Sequence, residues 1–231
     1  MNKLLNKLSI QTKIISNSLI LLLLILGSST FALLAMSGIG TELEDIAEQD
    51  IPMTKILTSI TEHQLEQAVH FERVLRYGVL LKQEDNAAAH FKKEMALFNK
   101  LNKNIVNELH EGEALAKISI ANAHSDAARK EFAHVLQSLK QIEQEHSGFE
   151  QHANQVFTLL TDGKLHEAEV IAEKVEQEEE QLYHELEALL IEIEKFTEAS
   201  VHSALEHEQT ALKTLAGFLV LALPNRLICW P

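Results

Sequence analysis

The chain has 231 residues, of which 46% are hydrophobic but only 5% aromatic, with 8 Gly and 3 Pro. What remains is rich in Leu, Ala, Glu, Gln, Lys and Ile, mostly straight-chain helix formers, so the predicted class is all-α. Residues 1–41 hold Lys3, Lys7 and Lys13 and no acid, whereas 42–213 hold all 34 acidic residues against 16 basic ones, a formal charge of −18. A field of that sign repels phosphate backbones, which excludes nucleic acid as a partner.

The first element is IISNSLILLLLILGSSTFALLAM, Ile14 to Met36, without a charged residue. At ~1.5 Å per residue it reaches about 35 Å, enough for a hydrocarbon core of ~30 Å. Lysines precede it and Glu42, Glu44, Asp45, Glu48 and Asp50 follow. The positive-inside rule then predicts a cytoplasmic tail over 1–13, a transmembrane helix over 14–36 and an exported body over 37–213. A cleaved signal peptide is the competing interpretation. Its apolar run is usually ~7–15 residues and ends in a small-x-small site. This run is longer and lacks a clean site, which favours an uncleaved anchor.

Breakers divide the body. Gly38 and Gly40 sit just beyond the span, and Pro52 suits the first turn of a resumed helix. KQEDN (82–86) reads as a polar turn, Ser125 or Asp126 as an N-cap, and TDG (161–163) as a turn with Gly163 free to take positive φ. Four helices are expected near 52–82, 86–122, 125–161 and 164–214, although Gly112 and Gly148 fall inside two of them. Short connections make them an antiparallel up-down four-helix bundle. The final helix is followed by LAGFLVLALPNRLICWP (215–231). Its apolar start reads as the beginning of a second transmembrane helix over 214–231. Arg226 would cost about 2.5–3.5 kcal/mol at mid-membrane. The expectation is a truncated or frame-shifted end, with Cys229 in it unable to form an internal disulfide.

Apolar residues at 3-4 spacing mark the core stripes. The third helix gives Ala128, Phe132, Val135, Leu139, Ile142, His146, Phe149, Ala153, Val156 and Leu160. The second gives Phe91, Met95, Phe98, Asn102, Ile105 and Leu109. The fourth gives Ala168, Ile171, Val175, Glu179 (or Glu178), Leu182, Leu186, Leu189, Ile193 and Phe196. The first allows two stripes. One runs through Ile56, Ile60, His63, Gln67, His70, Val74, Tyr77 and Leu81. The other, through Leu57, Ile60, Gln64, Gln67, Phe71 and Val74, turns both histidines outward. The polar interruptions fall at one level, about 25 Å below the distal turns at ~1.5 Å per residue. His63, Gln67, His70, Asn102, His146 and Glu179 are therefore candidates for a ligand site, a register-fixing layer, or a metal site drawing on His63, His70, His146 and Glu179. Arg73 and Arg76 are a further candidate pair, since the guanidinium fork suits carboxylates.

No Gly-rich phosphate loop, GxSxG, HExxH or Cys cluster is present. Two E-x-x-H segments, ending at His134 and His146, share one helix, where a di-iron cage needs two. The chain is expected to be neither an enzyme nor a cofactor carrier. IAEQDIPMTKILTSITEHQLEQAVHFERVLR (46–76), EGEALAKISIANAH (111–124) and LTDGKLHEAEVIAEKVEQEEEQLYHELEALLIEIEKFTE (160–198), set behind a basic tail and one span, resemble the N-terminal half of bacterial methyl-accepting chemotaxis receptors. The resemblance covers nearly all of 1–223 and stops at PNRLICWP. It implies a homodimer in the cytoplasmic membrane whose exported bundle senses an unidentified small molecule or metal. A small displacement of the last helix would carry the signal to cytoplasmic proteins through a C-terminal signalling part. The same input could instead serve a sensor kinase or a diguanylate cyclase. A membrane-anchored metal-binding or scaffold bundle without signalling is the third possibility.

Overall fold

The computed structural model describes residues 9–222, and every regular element among them is helical. In chain order they are α1 (Ile10–Asp45), a π-helical turn (Ile46–Asp50), α2 (Ile51–Leu80), α3 (Ala87–Asn122), α4 (Asp126–Thr161) and α5 (Leu165–Ala222). The readings of the basic tail and of PNRLICWP lie outside these residues, apart from the tail's last few positions. Two compact units form: Asp45–Glu198, and the described parts of Met1–Glu44 together with Ala199–Pro231.

α1 runs through Gly38 and Gly40 without a break. The irregularity comes later and has a different cause. Pro52 has no N–H to give, and its ring crowds the carbonyl four residues back. The preceding turn widens in response: the Ile51 N–H bonds to the Ile46 carbonyl, five residues away, and Pro52 enters the first turn of α2. A π turn lets the helix pass the proline instead of ending there.

The other ends follow local chemistry. Ser125 is extended, and its Oγ accepts the Ala128 N–H at 3.0 Å, which starts α4. Gly163 takes φ +76° after α4, and the Gly163 and Lys164 N–H groups return to the Leu160 and Leu159 carbonyls. Asn86 precedes α3 without a side-chain cap bond.

Four helices share one core in the unit Asp45–Glu198. Met53, Leu57, Ile60, Phe71 and Val74 of α2 pack with Phe98, Ile105 and Leu109 of α3. Phe132, Val135, Leu139, Ile142, Phe149 and Phe157 of α4 and Val175, Leu182, Leu186 and Ile193 of α5 complete it. α2 thus buries the stripe through Leu57, Gln64, Gln67 and Phe71, leaving Ile56, Tyr77 and Leu81 only partly covered. Phe71, Phe98, Phe149 and Phe157 join three helices, with Phe98 and Phe157 edge-on at 5.1 Å and Phe71 5.9 Å from Phe157. Each buried ring contributes about 1.5–3 kcal/mol. Gly78 lets α2 approach α4: a Cβ there would lie 2.6 Å from Leu160 Cδ1.

Bonds between neighbouring helices run in opposite senses. From α2 to α3 they join His63 to Glu108, Gln67 to Asn102 and His70 to Glu94. From α4 to α5 they join His134 to Glu192, Glu145 to Gln181 and His152 to Glu178. Rising numbers meet falling ones, as antiparallel helices require.

In the other unit, Phe31 and Phe218 lie 6.2 Å apart and His207 Nδ1 is 2.7 Å from Glu42 Oε1. The helical run that includes α1 is long and apolar enough to cross a membrane, and no residue of its apolar window is fully buried.

Candidate functional site

Beneath the phenylalanine cluster the core turns polar. His146 on α4 is 2% exposed, and its ring lies 6.0 Å from that of Phe149. Its Nε2 is 3.2 Å from Gln67 Oε1, so a ring protonated at Nε2 donates to the amide oxygen. The other end of Gln67 donates from Nε2 to Asn102 Oδ1 at 3.5 Å, a long bond. Three helices therefore meet through one chain of neutral polar groups, His146–Gln67–Asn102. Burial with no compensating charge lowers the His146 pKa to about 4, which keeps the imidazole neutral over the physiological range.

The α2 histidines flank this chain on its α3 side. His70 is 5% exposed, and its Nδ1 stands 2.6 Å from Glu94 Oε2. Arg73 Nη1 lies 3.7 Å from the same oxygen, and Glu66 Oε1 lies 3.8 Å from His70 Nε2. Burial pushes the Glu94 pKa up. The bond and charge of His70, with Arg73 and Lys93, outweigh that and leave it below the usual carboxylate value. His63 is partly exposed and meets Glu108 at 2.9 Å. The alternative stripe on α2 therefore holds for the apolar residues, while His70 stays buried at its edge.

The remaining candidates lie elsewhere. Glu179 is half-covered on α5, and its pKa is raised by burial and then by the charges of Glu72, Glu176 and Glu180. Glu178 pairs with His152 at 2.9 Å. Arg76 donates to the hydroxyl of Tyr77 at 2.9 Å and lies over its ring. Arg73 and Arg76 border an open groove of about 620 Å³ with Val69, Glu72, Leu75 and Val79. His63, His70, His146 and Glu179 thus each face different neighbours. Among the described residues no three His, Cys, Asp or Glu side chains are grouped so as to hold a metal ion.

Two features escape a reading of stripes. Glu94 is buried beside Met95, one position from the expected stripe residue; only the azimuth of α3 shows which of the two faces α2. Gln64 is 1% exposed, and neither atom of its amide finds a partner among the described residues. It belongs to the alternative α2 stripe, so its burial was legible, but its isolation was not.

No family model, curated protein or solved structure matches the chain.

Proposed function

We propose that this chain is the ligand-input portion of a transmembrane chemotaxis receptor, acting as a homodimer in the bacterial cytoplasmic membrane. In this reading Ile14–Met36 is the first span and the bundle is the exported sensor. The last helix carries displacement inward to cytoplasmic signalling proteins. The observation that carries it is α5, which runs as one helix of 58 residues from the distal turn to Ala222. An unbroken helix passes on a shift of 1–2 Å that a loop would absorb. The same input would serve a sensor kinase or a diguanylate cyclase.

A dimer is supported by the outer face of α2. Ile51, Leu65 and Val79 recur every fourteen residues, with Val69 beside them, and all are exposed. A stripe at that period fits a parallel helix from a second copy.

The test is a hybrid in which residues 1–222 are joined to the cytoplasmic half of a chemotaxis receptor with known kinase control. A properly inserted hybrid should regulate the kinase and respond to a change in the external medium. If inserted hybrids with several junction registers all fail to alter kinase activity, the receptor reading is wrong.

A further inference from the structure

One buried amide stands outside the polar chain of the core. Gln67 Oε1 takes the Nε2 proton of His146 at 3.2 Å, and Gln67 Nε2 donates to Asn102 Oδ1 at 3.5 Å. A neutral imidazole has a single N–H to give. Gln64 lies on the same buried stripe of α2 and is 1% exposed, yet neither its Oε1 nor its Nε2 has a partner among the described residues. Side chains three apart on a helix are neighbours, with Cβ atoms about 5–6 Å apart. One histidine proton thus faces two amides a turn apart and serves only one. We propose that the layer is a two-position switch, in which His146 exchanges Gln67 for Gln64 as α4 slides along α2. In the second position His146 donates to Gln64 Oε1, Gln64 Nε2 donates to Gln67 Oε1, and Gln67 Nε2 still donates to Asn102. Both glutamines are then bonded at both ends of their amides. The switch rests on the sensor reading for its output alone.

The fold sets the direction of the slide. Gln67 meets His146 and Gly78 faces Leu160, so α2 and α4 run parallel. Gln64 precedes Gln67, and His146 must therefore move toward the N-terminal end of α2. A helix shift of about 1–2 Å, with the soft last torsion of a glutamine turning its amide, makes the exchange. α4 does not travel alone. Bonds from His134 to Glu192, Gln181 to Glu145 and His152 to Glu178 tie it to α5.

Two opposing effects keep the positions close in free energy. The present one leaves Gln64 unpaired and the Gln67–Asn102 bond long, and the second adds a hydrogen bond. Against this, the slide carries Ile142, Phe149 and Val156 past the side chains packed on them, and a close-packed interior resists displacement. His146 is bonded in both positions and weighs for neither. Such a pair of states is what a ligand that prefers one of them shifts.

The test follows the Nε2 proton of His146 by NMR in the full chain with ¹⁵N-histidine, in lipid nanodiscs at pH 7.5, with His146→Leu to assign the resonance. Gln64→Leu and Gln67→Leu each leave one acceptor, so the resonance should stay downfield in both. The double variant removes both acceptors and should move it upfield. Spin labels at Glu62 and Gln151, both exposed, are placed in a Cys229→Ser background and diluted with unlabelled chain. They should come about 1–2 Å closer in Gln67→Leu and keep the wild-type distance in Gln64→Leu. Should Gln67→Leu not fold, Gln67→Met replaces it with the same expectation. An upfield move in the Gln67 variant as large as in the double variant overturns the proposal. So does an unchanged distance, or a resonance that stays downfield in the double variant, since the ring is then bonded elsewhere. The sensor reading is tested apart, in the kinase hybrid, where Gln64→Leu and Gln67→Leu should bias the kinase in opposite directions. With resonance and distance as expected and a kinase indifferent to both variants, the switch stands and the receptor reading falls.

Discussion

At the scale of single residues the bundle holds two groups that its core would be more stable without. Gln64 buries an amide with no partner among the described residues, and each unsatisfied polar group costs about 1–3 kcal/mol. Gln64→Leu, close in volume and apolar, should raise stability by about 1–3 kcal/mol in denaturant titration; a loss would mean that the amide has a partner in solution. His146 makes stability depend on pH. Its folded pKa of about 4 lies below the ordinary 6.5, so between those values the unfolded chain binds the extra proton. Stability is fully present above 6.5 and is lost as pH falls toward 4, by about 3 kcal/mol at ~1.4 kcal/mol per unit. Glu72, Glu131, Glu145 and Glu179 oppose that loss: their pKa values are raised, each first by burial and then by neighbouring glutamates. Protonating them adds stability as pH falls toward the ordinary 4.5. Replacing His146 by glutamine should therefore flatten the acid limb. Stability profiles of wild type and variant that stay parallel from pH 6.5 to 4 would show that the ring is not buried neutral.

Among the elements, two glycines in helix interiors separate packing from propensity. Gly148 has open space where a Cβ would go, so Gly148→Ala should stabilise α4 by about 0.5–1 kcal/mol. Gly78 faces the root of the Leu160 side chain, with Cδ1, Cγ and Cβ at 2.6, 3.0 and 3.1 Å. Rotation of the leucine cannot clear all three, so Gly78→Ala should destabilise by about 1–3 kcal/mol despite its better propensity. Equal effects of the two substitutions would disprove the close approach of α2 to α4. The helix ends were legible because their signals are local: the Ser125 hydroxyl and the Gly163 backbone act within three residues. The α4 stripe was legible because every member from Phe132 to Leu160 is buried. The π turn was not, since Pro52 is compatible with both a fresh start and a widened turn. Nor were the partners of His63 and His70. Glu108 and Glu94 lie 45 and 24 residues away, and only helix rotation selects them from many nearby glutamates. Glu179 misled for a related reason: adjacent glutamates around a shift in the 3-4 pattern leave the inward position undetermined.

For the whole molecule, the asymmetry of charge and the exposed face of α2 make separate demands. Lysines before the span and acid after it place Glu198 outside the cytoplasm in the proposed orientation. Alkaline phosphatase fused after Glu198 should then be active and a cytoplasm-dependent fluorescent reporter dark, and the reverse pattern would refute the topology. The dimer is the harder case. Ile51, Leu65, Val69 and Val79 leave a narrow stripe uncovered, interrupted by exposed Glu72, Arg73 and Arg76. A charged stripe buries too little apolar surface for a tight complex, so association should be weak for the bundle and firmer where the spans hold two copies side by side. Cysteine at Leu65 or Val79 should form disulfide-linked dimers in membranes, because a parallel partner puts each position opposite itself. Cysteine at Lys103, exposed on α3, should not. If Lys103→Cys cross-links as readily as Leu65→Cys, the contact is collisional and the α2 face is not the seam.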